Sequence, residues 1–182
     1  MIWLPEVLFI LVTWKSHKIV TFCVVYVLSH NPVFSLLAAI GSVVPDLIEG
    51  RGFVSMNPYK QYRWQQNHRK LSHWCIPYIA ICLICLFILR QNSLKVYSVM
   101  HLNQFLQFPE LLLVLWISFA VSSGAVMHIF EDALSGKVPL FNPKRKNFGI
   151  RLIPVNSLFE LIFTLTVVFV TMALLIIRRQ HA

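Results

Sequence analysis

Residues 111–130, LLLVLWISFAVSSGAVMHIF, run for twenty positions without one Asp, Glu, Lys or Arg. That length matches the ~20 residues a helix needs to cross the hydrocarbon of a bilayer. The run 156–177 is longer and carries one charge, Glu160; the run 74–89 is uncharged but sits at the short end for a span. With 57% hydrophobic content, the chain is too apolar for an ordinary soluble core, and the expected solvent is lipid. Its 182 residues fit a single membrane-embedded domain. The expected fold class is all-α, a polytopic membrane helical bundle.

The stretch 19–44 is also apolar but is interrupted by SHNP at 29–32. Proline lacks an amide donor, and it biases the preceding residue, Asn31, away from helix. Two short helices, 19–29 and 33–44, follow from this, and their length suits a re-entrant hairpin better than a span. A hairpin returns to the side it left, so His17 and Asp46 are expected at one membrane face. Residues 1–13 have Glu6 as their first charge and no basic leader, so they read as an interfacial helix between Trp3 and Trp14, not a signal peptide.

Charge sets the orientation. Arg51, Lys60, Arg63, Arg69 and Lys70 lie in one loop, and Lys137, Lys144, Arg145, Lys146 and Arg151 in another. The loop between the first two long runs holds only Arg90 and Lys95. This is the positive-inside pattern, and it puts both basic loops in the cytoplasm of an inner-membrane, multi-pass protein. Arg178 and Arg179 then fall on the far side. The net charge of +9 is therefore read as topology, and no nucleic-acid partner is expected. Cys23, Cys75, Cys82 and Cys85 all lie in apolar runs and read as small packing residues.

Carboxylates are scarce: seven in the chain, two of them, Glu131 and Asp132, beside His128. On a helix, His128 and Asp132 are four apart and share a face. Imidazole nitrogen and carboxylate oxygen bind zinc and similar divalent ions. His68 and His73 precede the first long run, which leads out; the second leads back to His128 and Asp132. So His17, Asp46, His68, His73, His128 and Asp132 all belong at the same basic surface, where one centre can gather them. His68 and His73 diverge by roughly 140° on a regular helix, so both reach one centre only if a helix starts between them, with Ser72 as a local cap. Each residue also has a plainer reading, as a helix-end group bonded to backbone or water. Desolvated charges beside a membrane nevertheless need a partner or a cation.

SVVPD, HRKLSHW and GAVMHIFEDALSGKVPLFNP resemble the membrane-bound, metal-dependent hydrolases typified by the inner-membrane protein YdjM. That family shows a His opening the first helix, a P-D motif, H-R-G-x-T-H-S, and H-x-x-x-D-x-x-T followed by G-V-P-L. It ends in a polar motif with Glu, which Asn156 to Glu160 resembles. The likeness covers about 17–160. It implies ligands at His17, Asp46, His68, His73, His128 and Asp132, holding one to three divalent ions, Zn2+ foremost and Mn2+ as the alternative. It is remotely similar to helical zinc-dependent phospholipases C, which implies hydrolysis of an ester or phosphodiester, with a lipid as candidate substrate. Glu131 or Glu49 is then the expected general base, Arg69, Lys70 and Arg151 the binders of an anionic substrate, and Ser72, Ser135 and Glu160 the supporting shell. The chain departs from the family where P-D-x-D-H becomes Pro45-Asp46-Leu47-Ile48-Glu49, where Lys70 replaces Gly, and where Trp74 replaces Ser. These losses leave a second expectation, a non-catalytic membrane adaptor or a metal-stabilised scaffold on the same fold.

Overall fold

The computed structural model describes residues 4–49, 69–91, 110–150, 152–154 and 157–180, with side chains described from Lys15 onward. Among these residues lie six helices, α1 Leu4–Ser29, α2 Pro32–Gly41, α3 Val44–Ile48, α4 Cys75–Gln91, α5 Glu110–Ser135 and α6 Leu158–Gln180. The only β-pairing described is one isolated bridge, Val138 with Phe148. The fold is thus all-helical, as the sequence implies.

By length and composition, α5 and α6 can cross a membrane, whereas α4 is shorter. Along α6 the pattern is inverted relative to a soluble protein. Glu160, Thr164 and Thr171 are buried, while Leu165, Phe169 and Ile176 face outward. Such a helix is comfortable only where the surroundings are as apolar as its own side chains.

One expectation is corrected. Residues 1–13 and 19–29 do not form separate helices; α1 runs unbroken from Leu4 to Ser29. After Pro5 in its first turn, nothing in the segment is a Pro or Gly, and the Lys15-Ser16-His17-Lys18 stretch is polar without being a breaker. The break at 29–32 is where the sequence puts it. His30 takes a left-handed φ of 52° and Asn31 an extended conformation, with φ −116° and ψ 109°. The Asn31 Oδ1 caps α2 by accepting from the Phe34 amide at 3.0 Å, with Pro32 in the first turn where its missing amide costs nothing. Ser35 Oγ donates to the Asn31 carbonyl at 2.7 Å, so the buried turn is satisfied from within.

α5 packs along α2 and α4, α2 packs on α1, and α1 carries α6. The α2–α5 contact is backbone against backbone. A Cβ on Gly124 would stand 1.8 Å from the Ala38 carbonyl oxygen, and one on Gly41 would stand 2.2 Å from that of Val121. Helices in lipid gain most from such close approach, because apolar burial supplies little drive between them. Phe34, Trp116 and Phe119 fill the space beyond the glycines, with ring centroids 5.3–5.5 Å from Phe34.

The far end of α5 is tied down by the chain that follows it. Val138 and Phe148 exchange amide bonds at 2.7 and 3.1 Å, and the Ile150 and Leu152 amides donate to the Ala133 and Leu134 carbonyls. Those carbonyls would otherwise end α5 without partners. Gly149, at φ +135°, lies so close that a Cβ would meet the Gly136 carbonyl oxygen at 2.0 Å. The G-x-V-P-L-F stretch therefore acts as a clamp on the helix end, anchored by Val138 at 2% exposure.

In an exposed helix, replacing Gly stabilises by about 1 kcal/mol. At Gly124 the sign reverses. Gly124→Leu is expected to destabilise by about 1–3 kcal/mol or more through overpacking, read as a lower unfolding midpoint in detergent. The same change at lipid-facing Phe169 is expected to leave the midpoint in place.

Candidate metal centre

Four chain segments deliver polar side chains to the clamped end of α5. His17 comes from α1, Asp46 from α3, His73 from the turn that precedes α4, and His128 and Asp132 from α5. His73, His128 and Asp132 are each no more than 2% exposed. The i, i+4 expectation holds: His128 Nε2 lies 3.6 Å from Asp132 Oδ2. His73 Nε2 lies 3.1 Å from the same oxygen, 3.3 Å from Asp46 Oδ1 and 3.2 Å from His128 Nε2. His128 Nε2 is 3.6 Å from Asp46 Oδ1.

These spacings can be compared with what an ion requires. Ligand atoms about 2.0–2.1 Å from a tetrahedral ion stand roughly 3.3 Å from one another. Five of the six separations among His73 Nε2, His128 Nε2, Asp46 Oδ1 and Asp132 Oδ2, all but the one between the two aspartates, span 3.1–3.6 Å, close to that edge length. His17 joins from the other flank, with Nε2 3.7 Å from Asp132 Oδ1 and its ring centroid 4.4 Å from that of His128. Two overlapping groups could hold a metal ion, His17–His128–Asp132 and Asp46–His73–His128, each with donor atoms within 4.8 Å of one another.

The opposite ring nitrogens show which way the imidazoles are held. His17 Nδ1 sits 2.7 Å from Glu131 Oε2, and Thr21 Oγ1 donates to the other oxygen, Oε1, at 3.2 Å. His73 Nδ1 lies 2.8 Å from Ser72 Oγ, which donates onward to Glu49 Oε1 at 2.6 Å. A carboxylate at Nδ1, direct or through a hydroxyl, keeps the proton there and leaves the Nε2 lone pair pointing into the cluster. His128 Nδ1 is buried without a partner among the described residues. Judged by donor type, spacing and tautomer, the residues fit a divalent cation.

Considered with protein groups alone, His73 is held as a cation. Burial lowers its pKa, but hydrogen bonds to Asp132, Asp46 and Glu49 outweigh that and raise it to about 10. A cluster of carboxylates around a proton-bearing imidazole suits a stronger cation equally well.

Other predicted residues take more specific places. Glu49 stands behind His73, not among the inward donors, and also accepts the Arg69 amide at 2.7 Å. Ser72 does not cap α4, which begins at Cys75, beyond both HRKLSH histidines; its hydroxyl is taken by Glu49 and His73. Arg69, in a left-handed conformation at φ 60°, pairs through Nη2 with Asp132 Oδ1 at 2.6 Å. Ser135 Oγ donates to the Glu131 carbonyl at 3.3 Å. Glu160 is buried at the start of α6 and accepts from Ser16, the neighbour of His17. His68 and Arg151 lie outside the described residues.

Two contacts were not legible beforehand. The Arg69–Asp132 pair joins residues 63 apart, and nothing local announces it. Thr21, one helical turn after His17, shares its face, and that spacing was a usable signal.

The likeness read from the motifs extends further along the chain than those motifs do. A family model described as YdjM inner membrane protein matches residues 12–182, from within α1 to the C-terminus. No curated protein and no solved structure matches the chain. The match takes in every residue that contributes to the cluster, and the chain belongs to the YdjM inner membrane protein family.

Proposed function

We propose that this chain is a membrane-embedded, metal-dependent hydrolase of an ester or phosphodiester bond. The observation that carries the reading is the convergence of three Nε2 atoms and two aspartates, with two of the imidazoles held from behind by carboxylate-terminated partners. Zn2+ suits nitrogen and oxygen donors at these spacings, and Mn2+ tolerates the carboxylate share. A divalent ion in such a site supplies a water whose pKa falls to about 7. The protein's part is to orient. His17, His73, His128, Asp46 and Asp132 hold the ion, and Glu131 and Glu49 fix the tautomers of His17 and His73. Both glutamates are committed to these bonds, which favours an orienting role for them over general-base catalysis.

The site belongs at the inner face of a multi-pass bundle in this reading. The clamp that follows α5 carries exposed Lys137, Lys144 and Arg145, consistent with positive-inside orientation. From His17 the α1–α2 hairpin reaches roughly 18 Å at the rise of a helix, short of a ~30 Å hydrocarbon core, which supports a re-entrant hairpin. A second reading, a metal-stabilised scaffold without turnover, draws on Glu49: it backs His73 and does not replace the family's second aspartate.

Three outcomes test this. Elemental analysis of detergent-purified protein is expected to find a divalent metal in the wild type and to lose it in His128→Ala, with ester or phosphodiester cleavage abolished by chelator; a metal-free wild type overturns the reading. Glu131→Ala is expected to lower metal affinity about 10–100-fold; full metal content with slower turnover would instead assign Glu131 as the base. For pH, His73 must give up a proton to bind. Metal uptake below pH 10 therefore releases protons, and affinity falls with acidification, by up to about tenfold per pH unit for one proton. Calorimetry in buffers of different ionisation enthalpy measures this. In the metal-free protein the sign is opposite: His73 pairing stabilises fully below about pH 6.5 and fades as pH rises through 10.

A further inference from the structure

The loop that closes α5 turns apolar and cationic side chains outward together. Phe141, at its outer end, is 74% exposed, and Phe148 and Ile150 on the return are exposed as well. Lys144 and Arg145 stand exposed between them. The loop is held by its own bonds. Asn142 Oδ1 accepts from the Lys144 amide at 2.9 Å, the Arg145 amide donates to the Asn142 carbonyl at 3.0 Å, and the Val138–Phe148 bridge closes the base. One short bonded turn thus presents an aromatic ring and two cations.

Its depth follows from α5. The uncharged run of that helix ends at Phe130, after the ~20 residues that cross the hydrocarbon. The Ile150 and Leu152 amides bond to the carbonyls of Ala133 and Leu134, three and four residues further on. At the rise of a helix that is roughly 5–6 Å past the run, within a headgroup layer of about 5–7 Å on each face. A few residues later α6 begins, with Leu158 and Phe159 exposed to the apolar surroundings. The loop is therefore strung between two lipid-facing helices at the level of the phosphates.

Surface charge at this level has one sign. Among the described residues, Asp46, Glu49, Glu131, Asp132 and Glu160 are all buried or half-buried, whereas Lys15 and Lys18, flanking His17, and Lys137 are exposed like Lys144 and Arg145. Exposed rings and aliphatic side chains are costly in water and cheap at the acyl boundary, while cations at that depth meet anionic headgroups.

We propose that the 137–150 loop is a docking surface for anionic phospholipid of the adjoining leaflet. Phe141, Phe148 and Ile150 reach the acyl boundary, and Lys144 and Arg145 hold the headgroup phosphates. The proposal is independent of turnover at the metal centre. It places the ligand cluster among the phosphates of the bilayer, with the clamp on α5 moored to the lipid as well as to the helix.

The test uses the full chain in nanodiscs of phosphatidylcholine, with or without phosphatidylglycerol. A nitrobenzoxadiazole label on Phe141→Cys puts an apolar reporter ring in place of the phenyl; Cys23, Cys75 and Cys85 are buried and Cys82 half-buried, and the unmutated chain measures their background. The label is expected to emit to the blue and to be quenched by lipids carrying a nitroxide near the headgroup, more strongly with phosphatidylglycerol present. Lys144→Gln with Arg145→Gln is expected to abolish that added response, and Arg179→Gln at the far end of α6 to leave it intact. Native mass spectrometry of the unlabelled chain is expected to show a preference for phosphatidylglycerol over phosphatidylcholine that falls about fivefold for each of the two charges removed. Water-like emission in both kinds of disc overturns the proposal. So does emission equally blue in lipid-free detergent, which assigns the cover to another part of the chain, or a phosphatidylglycerol preference unchanged in the double variant.

Discussion

Burying an aspartate beside lipid is expensive unless something positive meets it, and this protein buries Asp132 almost completely. Its two oxygens are addressed by different partners. Oδ2 meets His73 and His128, and Oδ1 meets Arg69 and, at longer range, His17. α1, the turn before α4 and α5 itself therefore all meet at one carboxylate, and Asp46 of α3 joins them through His73 and His128. The helices cannot slide independently without leaving a charge uncompensated, and this constraint converts a set of apolar rods into a single arrangement.

The rest of the architecture places that residue. α2 and α5 meet through Gly41 and Gly124 because lipid-solvated helices hold together by proximity and packing more than by apolar burial. That contact fixes the height of α5 against the α1–α2 hairpin, and hence His128 against His17 and Asp46. At the other end of the same helix, the returning clamp satisfies the terminal carbonyls and stops the last turn, with Glu131 and Asp132, from fraying. Site precision here comes from backbone contacts a few residues away from the chemistry.

Much of this was legible in the sequence. Long apolar runs gave α5 and α6, the SHNP interruption gave the turn at Asn31, and the i, i+4 spacing gave His128 with Asp132. The expectation that one centre can gather His17, Asp46 and His73 with His128 and Asp132 agrees with their convergence in the structure. Local composition could not show that α1 is continuous, because a polar patch inside a helix and a link between two helices look alike until tertiary packing decides. Nor could it distinguish a carboxylate that faces an ion from one that faces the back of an imidazole. Glu131 and Glu49 read as candidate bases on type alone; their bonds to the Nδ1 side of His17 and, through Ser72, of His73 exist only in three dimensions.

The clamp also links the cluster to the last helix. Its strand-like return passes amides to Ala133 and Leu134 and, within a few residues, becomes the start of α6, where Glu160 grips Ser16 beside His17. The chain thus closes a loop around its own chemistry: α1, α5 and α6 are joined by polar contacts at the end of α5 that carries the cluster. The head of α6 thus stands one hydrogen bond from the neighbour of the first histidine, so the last helix of the chain shares the frame that holds the first.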